Sequence, residues 1–379
     1  MPSDASAAAT ENRRGRIPVL DALRAVFALF VTIGHVGIFP LFAGVDSSTP
    51  LGHFLVRGWI TVVWGVPAVI GFFVISGFCI HLPFCGESEL SVGSYYVRRY
   101  ARILIPVAAA LCVCRFVGIK QPLLSADSIL WHSVLWSLAC EELYYAVYPA
   151  ARWVRKCFGW AWLLAPAFGL SAIFAYRYPN ALDGTFLGVF RTALILFPIW
   201  LLGCLLAEES GHLKAIGARS TIWRWRLLAW FGCWVCEMLH FHAKWSQEVT
   251  LLGFGVLAYF WIRKEISYTS QSRLLRTLAW AGTWSYSLYL MHGPAAKIVE
   301  ELHLPDFGFI VNWLILYTGV LGISFVFYLC VEMPSHHWAR RIRLRPANSK
   351  FTAAGPLRAD SDSPQILTDE LAHSQGELG

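Results

Sequence analysis

The chain has 379 residues, 56% of them hydrophobic, 15% aromatic and only 15% charged. An ordinary soluble domain carries about 25% charged residues, so this composition excludes a water-soluble globular protein. The net charge of +7 does not call for a nucleic-acid partner, because the basic residues cluster in short segments between apolar runs.

Residues 1–16 are a polar, cytoplasmic N-terminal segment ending in Arg13, Arg14 and Arg16. The next stretch, IPVLDALRAVFALFVTIGHVGIFP, is too long for a signal-peptide core and contains Arg24 and His35, so it reads as a retained first helix. Runs of spanning length continue near 60–82, 103–119, 133–150, 159–176, 189–207, 224–240, 248–262, 276–293 and 309–331. The expected fold is therefore all-α and polytopic, with about ten transmembrane helices. With the N-terminus inside, the basic clusters Arg13–Arg16, Arg98–Arg102, Arg152–Lys156, Lys214–Arg226, Arg263–Arg276 and Arg340–Arg358 all face the cytoplasm. The outer segments then hold scattered Arg57, Arg115, Lys120, Arg177, Arg191, Lys244 and Lys297. That asymmetry is the positive-inside pattern, with both termini cytoplasmic. One membrane domain is expected over 17–345, followed by a disordered cytoplasmic tail over 346–379, where Pro, Ser, Asp, Glu and Gly replace large apolar residues. The ten Cys form no framework. Cys233 and Cys236 make a CxxC with no second pair or flanking His, which reads as packing and gives no metal site.

Ionisable groups at membrane depth are expensive and mark function or a buried partner. In the first helix, Arg24 and His35 are eleven residues apart, within roughly 20° of one face and about 16 Å along the axis. Asp21 lies at i−3 to Arg24, where an ion pair can form. This helix reads equally as an anion-binding Arg plus a reactive His, or as a buried ion pair plus a core His. The second run contains GFFVISGF, whose Gly71, Ser76 and Gly77 permit close helix approach. At YYVRRYARILIP, Arg99 and Arg102 share a face and Arg98 lies at i−4 to Arg102, a cluster suited to phosphate or to a basic interfacial flank. WSLACEELYYAVYP puts adjacent Glu141 and Glu142 about 12 Å into a span entered from outside, at roughly the depth expected for His35, with Ser137 one turn away and Tyr145 nearby. WSYSLYLMHGP ends a span at the outer face with His292, which either lines an acceptor site or sits at the polar interface.

These five blocks, in this order and at these intervals over roughly residues 17–345, resemble the membrane-bound acyltransferase 3 family. Members move acyl groups, often acetyl, to carbohydrates and other acceptors. The resemblance implies His35 as the catalytic histidine, Arg24 as its companion, and Glu141 as the glutamate of the family's SLxxEE-like block. It implies that Arg99 and Arg102, with Arg98, recognise the phosphates of acyl-CoA, typically acetyl-CoA, as co-substrate, with no permanently bound cofactor and no metal. Asp21, Ser137, Glu142, Tyr145 and His292 are supporting or acceptor-side candidates. The implied setting is a bacterial inner membrane, and the implied acceptor a carbohydrate or glycolipid. The rival expectation is a transporter or flippase for a lipid-linked sugar or small anion, which would use the same buried ions as a path. It fits less well, because the halves share no repeat of short, Gly/Pro-interrupted segments.

Overall fold

A computed structural model describes residues 17–42, 44–46, 48–60, 62, 65–85, 90–118, 135–177, 188–268 and 272–341. They belong to one compact unit, Met1–Arg343. The N-terminal segment and the tail expected over 346–379 lie outside the described residues.

Helix α1, Pro18–Val36, begins with Pro18, whose missing N–H would have no intrahelical acceptor there in any case. Asp21 in its first turn complements the positive end of the helix dipole. Leu20, Leu23, Phe27 and Val31 are buried at three- and four-residue spacing, which makes a single core-facing stripe. The helix stops at Gly37, where φ is +120°, a value glycine adopts without the clash a Cβ would bring. Helix α2, Pro50–Ile60, precedes α3, Gly65–His81, which ends in a 3₁₀ turn, Leu82–Phe84.

Then come α4 (Val92–Phe116), α5 (Leu135–Phe158), α6 (Ala161–Arg177) and α7 (Gly188–Ser210). They are succeeded by α8 (Arg219–Phe241), α9 (Gln247–Ser267) and α10 (Arg273–Ala281). A 3₁₀ turn, Gly282–Trp284, joins α10 to α11, Ser285–Glu301. The chain closes with α12 (Phe309–Phe327), a π-helical turn (Tyr328–Glu332) and α13 (Met333–Arg341). Among the described residues there is no strand, only an isolated bridge between Ile216 and Tyr268.

Each expected apolar run overlaps helix among the described residues, but the lengths differ. Four segments, Pro18–Val36, Gly65–Phe84, Val189–Ser210 and Phe309–Arg341, are both long and apolar enough to cross a membrane by themselves. The rest carry more charge or are shorter. The run expected at 103–119 is part of a longer helix that starts at Val92, so Arg98, Arg99 and Arg102 are within α4 and not on a flank before it. The run expected at 276–293 is broken at Gly282–Trp284 and continues to Glu301. The break has a steric use. A Cβ at Gly282 would collide with the backbone carbonyl of Asp21, so glycine lets the turn close on the start of α1.

Helix α3 is the axis of the bundle. In an apolar stretch of 18 residues within its segment 78% are buried, against 22% in that of Phe309–Arg341, so α3 is surrounded by protein while α12 runs along the outside. Its closest neighbour is α7. There Gly77 abuts the carbonyl of Trp200 and Gly203 abuts that of Val74; a Cβ at either would collide. This reciprocal small-residue contact is what lets two membrane helices pack backbone to backbone.

Candidate active site

The first half of α1 opens on a cavity of about 690 Å³, within the range of roughly 300–1,000 Å³ usual for small-molecule sites. Asp21 and Arg24 line it from α1, Ser76 and Cys79 from α3, Arg99 and Arg102 from α4. Ser137, Glu141 and Tyr145 line it from α5, and Tyr286 and Tyr289 from α11. Arg24 lies 3.7 Å from Asp21 (Nη1 to Oδ1) and donates from Nη2 to the Cys79 sulfur at 3.7 Å. The i−3 pair expected from sequence therefore forms, at the long end of an ion pair. The Arg99 guanidinium lies over the Tyr145 ring, 5.3 Å from its centroid, a cation–π contact that holds the charge without neutralising it. Arg102 donates from Nε to His336 Nε2 at 3.0 Å. Among the described residues neither Arg99 nor Arg102 has a carboxylate ion pair. Two guanidinium groups without a carboxylate ion pair among the described residues thus face one cavity.

Arg98 is excluded from that site. It is exposed, does not line the cavity, and turns its Nε back to the Ser94 carbonyl of its own helix at 3.0 Å. Of the three, Arg99 and Arg102 line the cavity.

The acidic block is organised by donated hydrogen bonds. Trp200 Nε1 donates to Ser76 Oγ at 3.2 Å, and Ser76 meets the Tyr145 hydroxyl at 2.9 Å. Tyr145 in turn donates to Glu141 Oε1 in a short bond. The indole only donates, and Tyr145 has its one hydroxyl proton on Glu141, so Ser76 donates to Tyr145. Glu142, the adjacent residue, does not line the cavity, and both its oxygens are buried without a hydrogen-bond partner among the described residues. Helical geometry explains the difference, since neighbours point about 100° apart.

At the far end of α1 a second arrangement appears. His35 Nδ1 lies 2.8 Å from the Val31 carbonyl, and His292 Nδ1 lies 3.3 Å from the Leu288 carbonyl. A carbonyl only accepts, so in both rings Nδ1 carries the proton and Nε2 is left as the basic nitrogen. The ring centroids are 5.1 Å apart. His35 is exposed and His292 is 2% exposed. The end of α1 is pinned by two donors on the Gly37 carbonyl, Trp313 Nε1 at 3.3 Å and the Tyr317 hydroxyl in a short bond.

The two arrangements are linked but not merged, which corrects the expectation that Glu141 shares the depth of His35. Ser137 Oγ and the Tyr289 hydroxyl are 2.5 Å apart, so these residues are level. From there Glu141 is four residues along α5 in one direction, and His292 three residues along the antiparallel α11 in the other. At 1.5 Å per residue the offset between Glu141 and the histidine pair is about 10 Å. Among the described residues, His35's ring neighbour is His292, and Glu141's bonded partner is Tyr145. Ser137 and Tyr289 mark the end of the cavity nearest the histidines, and the Tyr289 ring lies 6.2 Å from that of His292.

A family model described as an acyltransferase domain matches residues 17–329. The chain belongs to the acyltransferase 3 family. No curated protein and no solved structure matches it. The family assignment and the long apolar helices together make this a membrane acyltransferase.

Part of this acyltransferase's cavity lies beyond the matched segment and was not picked out in the sequence. The π-helical turn ends at Glu332, which is 2% exposed and accepts from the Ser287 backbone N–H at 3.0 Å and from Ser287 Oγ at 2.5 Å. One turn on, His336 lines the cavity and receives Arg102, and Arg340 lines it another turn on. The available signal was the spacing Glu332, His336, Arg340, one polar face of a helix at i, i+4 and i+8.

A separate polar knot ties the ends of α3, α5 and α7. His81 meets Tyr148 at 3.1 Å and Glu208 at 2.9 Å, while Arg155 and Trp160 also donate to Glu208 at 2.6 Å and 2.8 Å. Glu208 is thereby saturated, which suits a structural joint.

Proposed function

We propose that this protein is a membrane-bound O-acyltransferase that moves an acyl group, acetyl in the simplest case, from cytosolic acyl-CoA to a hydroxyl of a carbohydrate or glycolipid. The supporting observation is one cavity lined by Arg24, Arg99 and Arg102, with two of these cations lacking a carboxylate partner among the described residues, in a chain of an acyltransferase family. In this reading ten spans cross a bacterial inner membrane with both termini cytoplasmic, and the basic clusters face the cytoplasm.

The phosphates of acyl-CoA bind Arg99 and Arg102, beside Arg24. Glu141, oriented by Tyr145, offers an acceptor to the amide N–H groups of the pantetheine arm. The thioester reaches the Ser137–Tyr289 end of the cavity, toward the histidine pair. There His35 Nε2 takes the proton from the acceptor hydroxyl as its oxygen attacks the thioester carbonyl. The carbon–sulfur bond breaks, and the proton passes to the departing CoA thiolate. Polysaccharide O-acetylation from outside the membrane is the biological form this chemistry would take.

The test uses purified protein in vesicles with labelled acetyl-CoA and a panel of envelope glycans and glycolipids. Acceptor-dependent release of CoA thiol is expected, and its loss in His35→Ala and Arg24→Ala. Full activity of both variants at equal expression would overturn the site; uptake of label without thiol release would indicate a transporter.

A further inference from the structure

We propose that His336, on the helix beyond the matched family segment, is a positioning residue of the donor site that aims Arg102 at the phosphates of acyl-CoA. The proposal rests on the donor-site reading under Proposed function and adds to it an element that no part of the family match covers, since that match stops at residue 329.

The geometry is specific about which atoms do what. Arg102 uses Nε to donate to His336 Nε2 at 3.0 Å. A guanidinium cannot accept, so Nε2 is the acceptor and the imidazole is neutral, with its proton on Nδ1. Holding Arg102 through Nε fixes the guanidinium plane and leaves the terminal Nη groups for a ligand. Beside that contact stands a fixed carboxylate: Glu332 Oε1 lies 3.6 Å from the same Nε2, and Glu332 is locked by two bonds from Ser287 on α11. The π-helical turn matters here because one extra residue rotates the next helix by about 100°. It carries Glu332 inward and sets His336 one turn later on the cavity side, a use of π turns often found at functional sites.

The bonded pairs Ser287–Glu332 and His336–Arg102 thus bring α11, the π-helical turn, α13 and α4 together behind one cation. A carboxylate in place of His336 would also hold Arg102, but beside Glu332 it would bring a second negative charge against the cation that phosphate needs. A neutral imidazole orients the guanidinium and leaves its charge available. That is the chemical reason for histidine at this position.

The experiment measures binding of acetyl-CoA and of S-acetylpantetheine, which lacks the phosphates, to the full-length protein in nanodiscs. The variants are Arg102→Ala, His336→Ala, His336→Gln, His336→Leu and the double Arg102→Ala/His336→Ala. Glutamine retains an oxygen acceptor for Arg102 Nε; leucine fills the space without one and serves if alanine fails to fold. Acetyl-CoA affinity is expected to fall about tenfold or more in Arg102→Ala and about fivefold in His336→Ala and His336→Leu. His336→Gln should return to within about twofold of wild type, and the double variant should match Arg102→Ala. S-acetylpantetheine binding should be unchanged throughout. If Arg102→Ala weakens acetyl-CoA while His336→Ala and His336→Leu do not, or if glutamine behaves as leucine does, the positioning role is wrong and the donor site stands. If Arg102→Ala leaves acetyl-CoA binding intact, the donor site itself is wrong.

Discussion

The two ends of α1 are built on opposite principles. Around Arg24 the protein gathers side chains from α1, α3, α4, α5, α11 and α13 about one cavity, and among the described residues Arg99 and Arg102 form no carboxylate ion pair there. Around His35 it uses two imidazoles, each fixed by the carbonyl of its own preceding turn. A multiply charged ligand has charge spread over many atoms, so holding it takes several elements. A base needs one nitrogen in one tautomer, and a single backbone acceptor can set that. In the proposed function recognition is therefore distributed and chemistry local, with the Ser137–Tyr289 contact between them.

This division can be broken by experiment. The largest effect is expected for His35→Ala, where loss of a general base lowers the transfer rate by about 10²–10⁴-fold. Acetyl-CoA affinity should hold to within about twofold; a matching loss of donor affinity would merge the two ends into one site. Arg99→Ala and Arg102→Ala should do the reverse. Each removes charge-assisted hydrogen bonds of roughly 1.5–3 kcal/mol, weakening acetyl-CoA binding while the rate at saturating donor is retained.

Gly77→Ala probes what both ends share. Its Cβ would meet the Trp200 carbonyl at the α3–α7 contact, and such overpacking costs about 1–3 kcal/mol, read as a lower thermal unfolding midpoint. Both the donor affinity and the rate should suffer together. His292→Ala sharpens the outer end: it should lower the rate by roughly tenfold, as expected for a group that steadies His35 without replacing it, with donor affinity unchanged. The smallest effect belongs to Arg263→Ala. It breaks a half-exposed pair with Glu209, 2.8 Å long, and at about 0.2–1 kcal/mol it should leave both donor affinity and rate unmoved.

Much of the cavity around Arg24 was legible because its residues are local in sequence. Asp21 and Arg24 are one turn apart, as are Arg99 and Arg102, so helical periodicity alone put each pair on a shared face. The relation between Glu141 and His35 was not legible. Their depths were counted from expected span ends, and an error of a few residues at 1.5 Å each is comparable to the offset of about 10 Å that separates them. Arg98 was indistinguishable from Arg99 and Arg102 until the helix showed which of these neighbouring basic positions face inward. His336 escaped because it comes after the last apolar run, among residues that read as a basic flank.

By itself, the sequence determined that this is a helical membrane protein, and it supplied the ordered blocks that mark an acyltransferase. Burial of uncharged stretches and helical spacing are enough for that, since both act over a few turns. Only the tertiary structure decided which cations share a cavity, that His35 faces His292, and that α13 closes on Arg102. Those facts depend on the register between helices far apart in the chain. That register is set by contacts such as Gly77 on Trp200 and Gly282 on Asp21, whose meaning appears only when the partner backbone is in place.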